Sequence, residues 1–103
     1  MHALAVAVAL MLSGGAAGPS LRAADLDPLT LRGTGFRANE RVKLLFAGPQ
    51  TVQSRAVRTN ARGRFRVVFR VALGRCDPVV VQALGARGSR AVFRHDVPDC
   101  VSP

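Results

Sequence analysis

The segment Arg64-Phe65-Arg66-Val67-Val68-Phe69-Arg70-Val71 decides the fold. Successive side chains of a β-strand point to opposite faces, so residues two apart share a side. Phe65, Val67, Phe69 and Val71 then line one face, and Arg64, Arg66 and Arg70 the other. A helix of 3.6-residue period would scatter those apolar positions around its circumference. Arg41 to Ala47 repeats the logic, with Val42, Leu44 and Phe46 inward and Arg41 and Lys43 outward. Ser89 to His95 does so again, with Ala91 and Phe93 inward and Arg90 and Arg94 outward. Leu29 and Leu31 suggest an opening strand that ends near Gly33, and Val79 to Leu84 reads as a more fully buried one. Thr51 to Thr59 is out of phase at Val52 and Val57, as a β-bulge or a slack edge strand would be. Six strands are visible, and the irregular stretches leave room for a seventh.

Turn chemistry separates these runs. Asn60-Ala61-Arg62-Gly63 and Ala86-Arg87-Gly88 carry residues suited to positive φ. Gly48-Pro49-Gln50 and Gly74-Arg75-Cys76-Asp77-Pro78 break the chain elsewhere. Short strands at intervals of about ten residues, punctuated by Gly, Pro and Asn, predict a single antiparallel β-sandwich or small barrel. The sandwich is expected from about Pro28 to Val97, inside a domain spanning residues 25–103. Its core is expected to contain Leu31, Val42, Leu44, Phe46, Phe65, Val67, Phe69, Val81 and Phe93.

Ahead of that domain, Ala3 to Leu12 is an unbroken apolar run followed by small residues through Gly18. Ten helical residues span roughly 15 Å, about half of a bilayer core, so a membrane-spanning helix is not expected. A short apolar run before small residues is the layout of a secretory signal peptide. Residues 1–17 are read as that signal, with Gly15 and Ala17 at the small-residue positions and Ala24 as the latest alternative cut. The segment lacks Lys and Arg near its start, so either the signal is atypical or the true start lies upstream. The expected location is extracellular, and no transmembrane segment is expected in the mature chain. Disulfides persist in oxidising compartments, and the two cysteines, Cys76 and Cys100, are expected to bond to each other.

The stretch Leu31-Arg32-Gly33-Thr34-Gly35-Phe36-Arg37-Ala38-Asn39-Glu40-Arg41-Val42 resembles the G-x-G-F-x-P-G-E-x-V opening of bacterial, actinobacterial-type secreted immunoglobulin-like domains. Asn60-Ala61-Arg62-Gly63-Arg64-Phe65 resembles their D-x-x-G-x-F hairpin. Ala38-Asn39 stands where Pro-Gly is usual, which leaves the type of that turn open. The resemblance covers most of Pro28 to Val97. It implies a seven-stranded immunoglobulin-like sandwich serving as a cell-surface or accessory module, usually without catalysis. The antibody-type Trp between cysteines and the Tyr corner are missing.

Charge is the loudest functional signal. Fourteen arginines and Lys43 stand against six acids, a formal net charge of +9 in 103 residues. Arg64, Arg66 and Arg70 project from one strand face, and Arg90 and Arg94 join them if the two strands share a sheet. Such a stripe could bind an anionic polymer, whether nucleic acid or a cell-wall polyanion. Spread of the cations along the chain instead favours outward arginines that only solubilise the strands. All five aromatics are Phe at inward or turn positions, which leaves no platform for stacking bases.

Catalysis has little to stand on. No G-x-S-x-G elbow occurs, and His95 and Asp96, adjacent on a strand, point to opposite faces. No D-x-D-x-D-G loop supports calcium. No catalytic, cofactor-binding or metal-binding residue is therefore assigned. The expectation is a secreted, non-enzymatic immunoglobulin-like structural or interaction module, with an unidentified protein or cell-envelope partner and only weak attraction to polyanions. The alternative is a dedicated cationic binder of anionic polymers. A contiguous arginine stripe with few acids would favour the alternative; an even spread would favour the first.

Overall fold

A computed structural model of the chain describes residues 18–96. The signal-peptide reading for residues 1–17 and the position of Cys100 lie outside the described residues. Seven strands form two antiparallel sheets: β1 (Ser20–Leu26), β2 (Leu29–Thr34), β3 (Arg41–Ala47), β4 (Val52–Arg58), β5 (Phe65–Val68), β6 (Val79–Gly85) and β7 (Arg90–His95). One sheet has the order β1-β2-β5 and the other β4-β3-β6-β7. The chain crosses between sheets after β2, after β4 and after β5.

Alternation explains why these segments pack as they do. Leu29, Leu31, Phe65 and Val67 face inward from the first sheet, and Val42, Leu44, Phe46, Val79, Val81 and Ala83 from the second. The Phe69 ring is fully buried and lies 5.3 Å, centroid to centroid, from that of Phe46. Every expected core residue is buried except Phe93, which is half-buried and packs against the core from the edge strand β7. Phe36, from the loop after β2, also enters the core and meets Phe65 edge-to-face at 5.0 Å.

Several local expectations need correction. The seventh strand lies at the start: β1 pairs with β2 from Ser20↔Thr34 onward, ahead of the boundary expected at residue 25. Its pairing slips between Ala23 and Asp25, which places the bulge here rather than in the Thr51 to Thr59 segment. That segment is the edge strand that was the other alternative, in unbroken register with β3. Val57 faces inward beside Gln53 and Arg55, while Val52 is left 77% exposed. Polar groups turned inward on an edge strand discourage a second strand from pairing there.

β2 ends one residue past Gly33, close to its expected end, and the packing there turns on Gly33. It sits opposite Phe65, and a β-carbon there would lie 2.1 Å from the Phe65 ring. The missing side chain is what lets the ring cross the strand. The Asn60 to Gly63 turn is a crossover between sheets and not a hairpin, because β4 and β5 belong to different sheets. Asn60 acts through its side chain, whose Oδ1 accepts from the Arg62 and Arg64 N–H groups at 2.9 and 3.0 Å. Among the described residues positive φ falls at Gly35, Gly63, Gly88 and Asn39. Asn39 (φ 54°) thus takes the left-handed position that glycine usually fills, a role open to Asn at modest cost.

Truncating Phe69 to Ala removes a ring with no solvent exposure and is expected to cost about 3 to 5 kcal/mol, a large share of a small domain's stability. Val52→Ala, at the exposed edge, is expected to change stability by less than about 0.5 kcal/mol. Urea denaturation of the two variants checks both values, and equal losses would contradict the assigned phase of the strands.

Candidate functional site

Three connections meet at one end of the sandwich: the loop from β2 to β3, the turn from β4 to β5, and the hairpin joining β6 and β7. Glu40 joins them. Its side chain is only 1% exposed, the one buried ionisable group among the described residues. The Arg37 N–H donates to Oε1 at 3.1 Å and the Arg87 N–H to Oε2 at 2.8 Å. Its own N–H donates to Thr59 Oγ1 at 2.8 Å, and Thr59 Oγ1 donates in turn to the Arg37 carbonyl. Burial alone would push the Glu40 carboxyl up. Hydrogen bonds from the Ser89 hydroxyl and from the backbone of Arg87, Arg37 and Ser89 outweigh it and hold the pKa below the ordinary 4.5. A carboxylate so fully engaged is a poor general base. It acts as a clamp.

The candidate arginines divide between two opposite faces. Arg66 points outward from β5 in the three-stranded sheet, with Arg64 one step before the strand and Arg70 beyond it at an exposed bend. Arg90 and Arg94 point outward from β7, which belongs to the four-stranded sheet. The five therefore do not share a surface, because their strands belong to different layers. In place of that stripe the register builds another. Arg22 stands directly opposite Arg32, and Arg32 directly opposite Arg66. This row runs across β1, β2 and β5 on the outer face, all three residues exposed. None of the three has a side-chain hydrogen bond or ion pair among the described residues. A shallow depression beside the row is lined by Arg32, Gly33, Thr34, Asn60, Arg64, Phe65 and Arg66.

Arg22 and Arg32 were not singled out in the sequence. Arg32 falls outward once Leu31 and Gly33 are phased inward, so its face was readable. Arg22 lay ahead of the expected first strand, and no local pattern announces which residues of separate strands become neighbours.

Elsewhere, His95 faces inward at the end of β7, and its Nε2 lies 3.2 Å from the Gly74 carbonyl. Asp77 Oδ2 accepts from the Gly74 N–H at 2.7 Å, so both groups brace the long connection after β5. Among the described residues no three His, Cys, Asp or Glu side chains cluster as metal ligands, and no cysteine is free. Cys76 lies in that same connection, and its expected partner Cys100 is outside the described residues. The chain matches no protein-family model, no curated protein and no solved structure.

Because the Glu40 pKa is lowered in the folded chain, its ionised form contributes stability that is complete above the ordinary glutamate value. That contribution is lost as pH falls through 4.5 toward the lowered value. Denaturant midpoints taken between about pH 6 and about pH 3 are expected to fall with pH in the wild type. Glu40→Gln is expected to be less stable by about 1 to 3 kcal/mol near neutrality and to show a shallower decline. An unchanged decline in Glu40→Gln would assign the acid sensitivity to another group.

Proposed function

We propose that the chain is a secreted, non-enzymatic immunoglobulin-like module that presents a rigid β surface to a protein or to the cell envelope. The observation that carries this reading is the disposition of its polar chemistry. The one buried ionisable group among the described residues is spent on internal hydrogen bonds, and the unpartnered charges of the arginine row lie on an open sheet face. Among the described residues reactive groups do not converge, whereas broad flat surfaces are available.

The strand order supports the immunoglobulin-like part. β1, β2 and β5 pair as the first, second and fifth strands of such sandwiches do, opposite a sheet built on β3, β6 and β7. β4 extends that second sheet instead of the first, as the extra strands of variable-type domains do. The short G-x-G-F and N-x-x-G-x-F motifs add to it, with Phe36 and Phe65 in contact in the core. The signal-like residues 1–17 and the cysteine pair Cys76 and Cys100 support export, with the bridge tying the chain's end to the connection before β6. Closing that loop of about 25 residues would contribute roughly 3 to 4 kcal/mol in the chain-entropy model.

Expression in a secreting bacterial host tests this reading. The exported protein is expected to begin at Gly18, to carry Cys76 and Cys100 as a disulfide by mass spectrometry, and to sediment with isolated cell envelope at about 0.15 M salt. Two free thiols with residues 1–17 retained would contradict export. A protein wholly in the supernatant would contradict the envelope role.

A further inference from the structure

We propose that the Arg22–Arg32–Arg66 row is a docking line for a linear acidic polysaccharide laid across the strands, its anionic groups meeting successive guanidiniums. The proposal rests on the module reading above, names the partner class, and takes up the polyanion-binding alternative, which a contiguous arginine row with one acid in its strands favours. Adjacent strands lie about 4.8 Å apart, so three directly opposed residues place their cationic stems on a line about 10 Å long. Guanidinium forks pair bidentately with carboxylate and with tetrahedral oxyanions, which suits them to a chain of fixed anions.

The row is not what sheet stability selects. Like charges directly opposite one another destabilise a pair of strands, and here the middle arginine has such a neighbour on each side. The other sheet arranges its outward cations differently. Lys43 stands between Ala56 and Leu84, Arg90 opposite Leu84, and Arg94 opposite Val80; only Arg41 and Arg58 oppose each other. Solubility is served by that second arrangement without the repulsion. The first is therefore read as serving a ligand.

The surroundings of the row favour a saccharide. On one side lie the Ser20 and Thr34 hydroxyls, 3.0 Å apart, and Arg64 at the lip of the depression. On the other lies Asp25, opposite Thr30, the one acid in the three strands of this sheet. The anionic chain is thus drawn toward the hydroxyl side and repelled from the Asp25 side. One interstrand step is close to the length of one unit in an extended sugar chain, so the row spans about two units, whose anions the long arginine stems can reach from either side. Nucleic acid fits less well. Phe36, Phe46, Phe65 and Phe69 are buried and Phe93 faces inward, which leaves no aromatic ring on this face to stack a base.

Calorimetric titration of the full chain with polygalacturonate and with heparin, at about 0.15 M salt, tests the proposal. Combining Arg22→Gln, Arg32→Gln and Arg66→Gln is expected to weaken binding by at least about tenfold. Combining Arg41→Gln, Arg90→Gln and Arg94→Gln removes the same charge from the opposite face and is expected to change affinity less than about twofold. A loss confined to one probe supports the proposal and assigns the anion as carboxylate or sulfate. Equal losses in both variants would reduce the effect to net charge and overturn it, as would no binding by the wild type. Tighter, row-dependent binding of DNA than of either polysaccharide would also overturn it. The row variant is expected to melt no lower than the wild type at low salt, since repulsion is relieved; a lower midpoint would contradict the cost assigned to the row. Failure of these titrations with envelope sedimentation intact leaves the module reading standing with a different partner, whereas failure of sedimentation removes the envelope role and leaves the row to be decided by the titrations.

Discussion

A carboxylate sealed inside the end of the sandwich sets the terms for the rest of the molecule. Burying an ionised group is costly unless hydrogen bonds replace the lost water. Glu40 meets that requirement with donors from two different connections, Arg37 after β2 and Arg87 between β6 and β7, and with the Ser89 hydroxyl. Its backbone meanwhile pairs with Thr59, just after β4. The β2–β3 crossover and the β6–β7 hairpin are thereby tied to its side chain, and the β4–β5 crossover to its backbone. Their geometry follows from it. Asn39 takes a left-handed conformation immediately before Glu40, and a β-carbon at Gly85 would lie 2.3 Å from Glu40 Oε2. Glycine at position 85 leaves the carboxylate its space.

With that end secured, the interior is filled mainly by alternating strand residues, joined by Phe36 from the loop after β2 and Phe69 just past β5, and it was the part most legible in the sequence. A strand with Phe65, Val67 and Phe69 in phase has one way to face a core, and a one-residue slip would expose all three. The same held for β3, whose bounds at Arg41 and Ala47 match the alternating run. Legibility failed where the signal was not periodic. β1 contributes Leu21 as its one buried side chain, and Ala23 and Ala24 carry too little apolar surface to show a phase. In β4 the inward face holds Gln53 and Arg55, so its phase left a bulge and an edge strand as open alternatives.

The surface was harder still. A strand's own sequence states which side chains face outward, but not which strands become neighbours. Arg64, Arg66, Arg90 and Arg94 were all correctly placed outward, yet the two pairs lie on opposite layers because β5 joins β2 and β7 joins β6. Conversely, Arg22, Arg32 and Arg66 are separated by up to forty-four positions in the chain and become a row only through two registers. Fold and core are local properties of this sequence, and its charged surface is a product of topology. That division also explains where function is sought. The buried polar groups Glu40, Thr59 and Ser89 are consumed by the scaffold, and the flat outer faces are left for recognition.

The account depends on Glu40 being ionised while buried, held by donors from loops that would otherwise move apart. Carbon-detected NMR titration of the Glu40 side-chain carboxyl in the folded protein measures this directly. A midpoint below the ordinary 4.5 is the predicted result. A midpoint at or above that value would mean that burial outweighs the hydrogen bonds, and the clamp as described would not exist.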